Sequence, residues 1–189
     1  YSMAISMLAC WFAADKDLKD FRDRLLEEAD QRPQKDWLIY HWAMISVTYP
    51  FWFNVARQTG RLFNLQEQIS QTQIFSRLKE QYGDRETVAR NARYAVRSFI
   101  AWGVMDDSSV KGRYQLPHKK INLDKFETTL MIEAALLANE EHKSTLADVY
   151  SEPAFFPFSL AVLTPTEISD ISGSIKVSRF GMGDDFLEL

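Results

Sequence analysis

Arginines in residues 85–97 are the side chains whose type and spacing suggest chemistry most directly. Arg90, Arg93 and Arg97 follow one another at intervals of three and four residues, so in a helix they share one face. Guanidinium groups stay charged at physiological pH, and they donate paired hydrogen bonds to phosphate oxygens. The spacing therefore predicts a surface suited to a polyanion such as a nucleic acid.

The same segment predicts the helix that would present these arginines. Apolar residues recur at helical spacing between Arg85 and Trp102 and mark a second face: Val88, Ala92, Ala95, Val96, Phe99 and Trp102. A helix with a core stripe on one side and arginines on the other is amphipathic, and it is suited to packing on a core while facing a ligand.

Catalytic patterns are absent from the sequence. His41, His118 and His142 are far apart and lack zinc-ligand spacing, and residues 181–183 (Gly-Met-Gly) lack the Lys-Ser/Thr of a phosphate loop. Asp184 and Asp185 could form a paired-carboxylate metal site, although acidic pairs in turns usually serve backbone hydrogen bonding. We expect a non-enzyme without cofactor or metal, and we expect His41 to be a core residue of an apolar helix.

A further predicted helix precedes the arginine-bearing one. Within residues 68–82, apolar side chains recur at helical spacing: Ile74, Phe75, Leu78 and Tyr82. Gly83 accepts the positive φ of a helix C-terminus, and Asp84 can cap the next helix. Residues 62–65 predict a short strand or packed turn before this pair.

A hairpin is predicted after the arginine-bearing helix. Residues 103–105 and 112–116 flank the polar residues 106–111, which form the predicted tip. Helix, turn, helix and hairpin in this order resemble a winged helix-turn-helix domain. The phrase Trp102-Gly103-Val104-Met105-Asp106 is the most characteristic part of the likeness, which covers about a third of the chain.

The resemblance implies DNA contacts, because a winged helix usually places its second helix in the major groove and its wing on the backbone or in the minor groove. Arg90 and Asn91 then suit guanine and adenine, whereas Arg93 and Arg97 suit phosphates. The backbone amides and side chains of Gln71 to Gln73 are further phosphate candidates. The expected contacts are Arg85, Thr87, Arg90, Asn91, Arg93, Tyr94, Arg97, Lys111, Arg113, Lys119 and Lys120.

Charge is unevenly distributed along the chain, whose net charge is −4. Residues 55–120 carry 12 Lys and Arg against 6 Asp and Glu, whereas residues 1–54 carry 6 against 8 and residues 121–189 carry 4 against 12. The positive segment contains the residues that resemble a winged helix. The acidic remainder of the chain would limit nonspecific binding to nucleic acid.

We expect a mainly α fold in three parts: a helical N-terminal part (1–60), a central winged helix-turn-helix (61–120), and a C-terminal helical part with a small β element (121–189). Helices are predicted at 1–14, 18–29, 35–49, 51–59, 125–139 and 145–150, with Gly60 ending the fourth. Strands are predicted at 160–163 and 175–180, pairing as a minor sheet. Phe51-Trp52-Phe53 predicts either an exposed platform for bases or a buried hydrophobic joint.

The chain has one cysteine, Cys10, which excludes an internal disulfide and fits a reducing compartment. Apolar runs are too short or too interrupted to span a membrane, and no signal peptide is evident. We expect a cytoplasmic, non-membrane protein, with a segment preceding Tyr1. The expected function is binding of double-stranded DNA, as a transcription regulator or as an accessory subunit of a bacterial or phage-related assembly, for example in defence.

An alternative keeps the fold and changes the ligand. Winged helices also serve as docking modules in protein scaffolds, for a protein partner or for a second copy of the chain in a homo-oligomer. Arg90 and Arg97 would then pair with Glu86 or with carboxylates of the acidic C-terminal part.

Overall fold

The computed structural model describes residues 8–12, 15–180 and 184–189. The chain divides into two compact units: unit 1 contains residues 1–50, 123–151 and 160–189, and unit 2 contains residues 51–122 and 152–159. The N-terminal and C-terminal parts, expected as separate regions, thus belong to one unit.

Helices predominate in the described residues. They are α1 (Lys19–Asp30), α2 (Leu38–Thr48), α3 (Pro50–Phe63), α4 (Gln71–Tyr82), α5 (Glu86–Ala101), α6 (Lys125–Leu137), α7 (Leu146–Tyr150) and α8 (Pro165–Ser172). Single 3-10 turns lie at Ala9–Trp11, Lys16–Leu18, Gln34–Asp36 and Pro153–Phe155. The predicted helix at 1–14 lies largely outside the described residues.

The strands are short and form three small sheets. They are β1 (Gln68–Ser70), β2 (Asp106–Asp107), β3 (Arg113–Gln115), β4 (Ile121–Asn122), β5 (Lys143–Thr145), β6 (Phe158–Ser159), β7 (Lys176–Phe180) and β8 (Asp184–Glu188). The mainly α fold with a small β element is confirmed.

Unit 1 packs helices against a small antiparallel sheet of order β5-β8-β7. Its helix α2 is buried on nearly every side, as an apolar helix in a core should be. A second cluster of buried side chains joins α6, α7, α8 and the sheet: Ile132, Leu136, Val149, Leu163, Ile168, Ile175 and Leu187. Among the described residues, no helix has the length and apolarity that crossing a membrane requires.

The predicted strand at 160–163 is wrong. These residues follow β6 without regular structure, and β7 pairs with β8 rather than with them. Of the three strands of the sheet only β7 is predicted by the sequence. Strand β5 is missed because residues 140–145 are polar, and β8 because Asp184 and Asp185 were expected in a turn. Thr145, at the end of β5, is the N-cap of α7, and its side chain accepts a hydrogen bond from the Asp148 amide.

Helix α3 does not end at Gly60, contrary to prediction, but continues to Phe63. The glycine has another use there, because a Cβ at position 60 would lie 1.8 Å from the Pro153 carbonyl oxygen. Only a residue without a side chain lets α3 approach the 152–159 segment this closely.

The 152–159 segment is part of unit 2, although it is far from the remainder in sequence. Two hydrogen bonds join the Arg57 guanidinium to the Glu152 carboxylate, at 2.9 and 2.7 Å. The Phe155 ring packs on Phe53, and the Phe156 ring packs on Phe63 and Phe99. Strand β6 pairs in parallel with β4.

His41 is half-buried, and its ring takes part in a hydrogen bond within unit 1. The Trp11 indole N–H donates to its Nδ1 at 3.0 Å, and burial lowers the pKa of His41 to about 4. A neutral ring is therefore favoured, since a proton on Nδ1 would remove the acceptor that Trp11 uses.

This lowered pKa predicts a pH dependence of stability. The pKa of His41 is about 4 in the folded protein and about 6.5 in the unfolded chain. The stabilisation that neutral His41 gives to the folded state is therefore complete above pH 6.5 and is lost as the pH falls towards 4. We expect the free energy of unfolding to decrease by up to about 1.4 kcal/mol per pH unit in this window. Urea unfolding of wild type and His41→Gln between pH 7 and 4 checks this, since the variant should lack that slope. Equal slopes would contradict it.

Candidate nucleic-acid interface

Helix α5 separates a buried face from a charged one. Its buried residues are Val88, Ala92, Ala95, Val96, Ser98 and Phe99. At about 100° per residue, Arg90, Arg93 and Arg97 fall within an arc of about 60° opposite these residues. We call these three residues the arginine row. Glu86 lies on the same face, one turn before Arg90.

All the residues expected from the sequence to contact DNA are exposed: Arg85, Thr87, Arg90, Asn91, Arg93, Tyr94, Arg97, Lys111, Arg113, Lys119 and Lys120. In the part of the chain that the structure describes, none of the cations among them forms an ion pair within 4 Å. The predicted pairing of Arg90 or Arg97 with Glu86 is therefore not found. The row is left available to an external anion.

The turn before α5 differs in part from the prediction. Gly83 has a φ of +82° and ends α4, as expected. Asp84 does not cap α5, because Arg85 is the N-cap residue and makes no side-chain cap hydrogen bond. The Asp84 carboxylate instead forms an ion pair with the Lys79 ammonium group of α4, at 2.8 Å.

Helix α4 begins later than predicted, because Gln68–Ser70 form β1. Ser70 accepts a hydrogen bond from the Gln73 amide, and the Gln73 side chain accepts one from the Ser70 amide. The Gln71 amide donates to the Gly112 carbonyl at 3.1 Å, in the hairpin. Two of the amides proposed as phosphate donors are therefore already occupied, which counts against Gln71 and Gln73 in that role.

The hairpin of β2 and β3 completes a three-stranded antiparallel sheet of order β1-β3-β2. Asp106 pairs with Gln115, and Asp107 pairs with Tyr114. The two aspartates thus lie in the edge strand and not at the predicted tip, which is formed by residues 108–112. Lys111 and Val110 are exposed at this tip, and Gly112 supplies its positive φ of 77°.

Tyr114 links the hairpin electrostatically to α5. Its side chain is buried, and burial is the largest cause that raises the pKa of its hydroxyl; the Asp107 charge raises this pKa further, whereas Arg97 and Arg93 lower it. The charges of the hairpin and of α5 thus have opposite effects on the pKa of this hydroxyl group.

Lys119 and Lys120 lie at another edge of the unit. They line a narrow cleft of about 20 Å³ together with Gly103 and Val104, which follow the C-terminus of α5. Cations are favoured beside a helix C-terminus, so a structural role competes here with a phosphate contact. Lys119 and Lys120 are therefore weaker candidates for phosphate contacts than the arginine row and the hairpin.

Aromatic side chains hold α5 in place. The Trp52 ring lies 5.4 Å from Phe99 and 6.0 Å from Trp102, and its indole N–H donates to the Ser98 hydroxyl at 3.3 Å. Phe53 is also buried. Of the two roles predicted for Phe51-Trp52-Phe53, the exposed platform for bases is therefore wrong.

The two units keep the charge asymmetry seen along the sequence. Unit 2 carries 12 Lys and Arg against 7 Asp and Glu, whereas unit 1 carries 10 against 19. Within the described ranges, no group of three or more His, Cys, Asp or Glu side chains could hold a metal ion. No protein-family model, curated protein or solved structure matches the chain, so function must be inferred from its own residues.

Proposed function

We propose that the chain binds double-stranded DNA through α5 and the β2–β3 hairpin of unit 2, as a winged helix-turn-helix protein. The observation that carries this proposal is the arginine row, which is exposed and opposite the buried face of α5 and has no ion-pair partner among the described residues. Three free guanidinium groups on one helix face repel one another unless an anion neutralises them. Binding of a polyanion would neutralise these charges and so remove their mutual repulsion.

The order of elements in unit 2 supports the winged-helix part of the proposal. Helix α3 and strand β1 precede the pair α4 and α5, which the hairpin follows. Strand β1 joins the hairpin in one sheet, through β3. The second helix of the pair is the one that bears the arginine row, as the proposal requires.

The geometry suggests how the contacts are divided. From Arg90 to Arg97 α5 rises by about 10 Å, and the major groove is about 12 Å wide. Arg93 and Arg97 are the candidates for phosphate contacts, which would join those of Lys111 and Arg113 in the hairpin. Arg90 lies nearest the N-terminus of α5 of the three and is the candidate for a guanine edge. Asn91 lies at the edge of the buried face of α5, and it would therefore reach a base only at the side of the groove.

Fluorescence anisotropy with a random-sequence duplex at about 50 and 200 mM salt tests the proposal. Each neutralised phosphate contributes about 0.9 to the salt slope, so about five contacts predict a roughly 500-fold loss of affinity over this range. A transcription regulator or an accessory subunit of a larger assembly would both show this behaviour.

Absence of binding at both salt concentrations would overturn the proposal. The arginine row would then be a docking surface for an acidic protein partner or for the acidic unit of a second copy of the chain. Sedimentation of the protein alone at the same salt concentrations distinguishes these two, because only self-association gives a concentration-dependent mass.

A further inference from the structure

A cavity of about 560 Å³ lies in unit 1, among the described residues. It is bordered by the 3-10 turn at Lys16–Leu18, by the last turn of α2, by the end of α6, and by the residues His142 and Leu189, which flank β5 and β8. Pockets that hold small organic ligands usually measure about 300–1,000 Å³. The cavity therefore has the size of a small-molecule site.

Apolar side chains from all of these segments line the cavity. Leu18, Val47, Leu137 and Leu189 are half-buried, so part of each side chain remains in contact with solvent. Removing apolar surface from water is favourable in proportion to its area. A ligand with a hydrocarbon part would therefore be stabilised by covering these side chains.

Two carboxylates make the cavity negatively charged. Asp15 and Asp17 line it, are exposed, and form no ion pair or side-chain hydrogen bond with any described residue. No Lys or Arg is among the described residues that line the cavity. Leu137 is the last residue of α6, and the carbonyl groups at a helix C-terminus add partial negative charge. The cavity therefore favours a cation over an anion.

His142 adds a hydrogen-bond acceptor to the lining. Its φ of +50° lies in the left-handed region, and its carbonyl accepts a hydrogen bond from the Leu189 amide at 3.2 Å. The imidazole Nδ1 lies 3.3 Å from the Leu136 carbonyl oxygen. Because a carbonyl oxygen can only accept, the neutral ring that makes this contact carries its proton on Nδ1. Its Nε2 then keeps a lone pair that can accept a hydrogen bond from a ligand.

An organic cation fits this lining better than a metal ion does. Within the described ranges, no group of three or more His, Cys, Asp or Glu side chains could hold a metal. A hard cation such as Ca²⁺ takes about six to eight oxygen ligands, whereas an ammonium group donates only about three hydrogen bonds. The apolar side chains also match the hydrocarbon part of an amine, which a bare ion lacks.

We propose that this cavity is a binding site for a small protonated organic amine. The ammonium group lies at the carboxylates of Asp15 and Asp17, with Nε2 of His142 as a further acceptor. The hydrocarbon part covers the half-buried apolar side chains. Charge and apolar surface thus select the same class of ligand. The inference concerns unit 1 and does not rest on the DNA-binding function proposed for unit 2.

An NMR titration of the full chain with three probes of similar size tests the proposal. The probes are phenethylamine, which is cationic at neutral pH, phenethyl alcohol, which is neutral, and hydrocinnamate, which is anionic. We expect phenethylamine to bind about tenfold more tightly than the alcohol, because charge-assisted hydrogen bonds are stronger than neutral ones. Hydrocinnamate should bind most weakly. The amide signals that shift should be those of residues 15–18, 47–48, 137 and 142. Equal affinities for the three probes, or no saturable shift with phenethylamine, would overturn the proposal.

A pair of double variants separates the site from the net charge of unit 1. Asp15→Asn with Asp17→Asn should weaken phenethylamine binding about tenfold, because both charged acceptors are lost. The matched control, Asp30→Asn with Asp170→Asn, removes two exposed charges of unit 1 that do not line the cavity. It should bind phenethylamine within about twofold of wild type. Equal losses in the two double variants would show that the amine responds to net charge alone, and the assignment of the cavity would fail.

Discussion

Replacing Arg90, Arg93 and Arg97 together by alanine is expected to lower the affinity for a duplex by roughly 10³-fold at 50 mM salt. Arg93 and Arg97, the two residues assigned to phosphates, each release about one counterion on binding, so the salt slope should decrease by almost two. The fold should persist, because all three side chains are exposed on the face of α5 opposite the core. Anisotropy titrations at several salt concentrations measure both quantities.

The matched control replaces Lys16, Lys19 and Lys35 by alanine. These residues are exposed, belong to unit 1 and carry the same total charge. If net charge alone drove association, both triple variants would lose affinity equally, and the assignment of binding to α5 would be contradicted. We expect the control to stay close to wild type in its salt slope.

Gly60→Ala is expected to destabilise unit 2 by about 3 kcal/mol or more, although alanine is the better helix former. In a free helix this change would stabilise by about 1 kcal/mol. Here the added Cβ would lie 1.8 Å from the Pro153 carbonyl oxygen and 2.6 Å from its carbon, so backbone must move. Urea unfolding followed by tryptophan fluorescence, to which Trp52 and Trp102 of unit 2 contribute, would report the loss.

Gly103→Ala is the control for this prediction. Gly103 has a φ of +69°, and no atom lies within 4 Å of the position that an added Cβ would occupy. Its replacement should cost only the strain of a left-handed backbone, about 1–2 kcal/mol. A Gly60→Ala protein as stable as wild type would show that α3 and the 152–159 segment do not approach each other as described.

Local signals allowed the sequence to predict most helices of unit 2. The period of Val88, Ala92, Ala95 and Phe99 predicted α5 within one residue at each end. It also predicted that the arginine row would be exposed, because residues opposite a core stripe face solvent. The exposure of the candidate contacts on α5 follows from the same local pattern.

Features that depend on distant residues were not predictable in this way. Gly60 predicted a helix end because glycine is common at that position. Its close approach to Pro153 could not be predicted, because the two residues are 93 positions apart in sequence. The face of Asp107 depends on its register with Tyr114, which one residue of slippage would reverse. The membership of Phe155, Phe156 and Phe158 in unit 2 required the tertiary structure.

The chain passes between its two units at residues 50–51, 122–123, 151–152 and 159–160. This has a consequence for synthesis on the ribosome. Helix α5 is complete once Ala101 has been made, yet Phe156, which packs on its Phe99, is added 55 residues later, after roughly 3–11 s at ordinary elongation rates. During that interval the apolar side of α5 lacks one of its covering rings. The nascent protein should therefore complete the packing of α5 late, when residue 159 has left the exit tunnel.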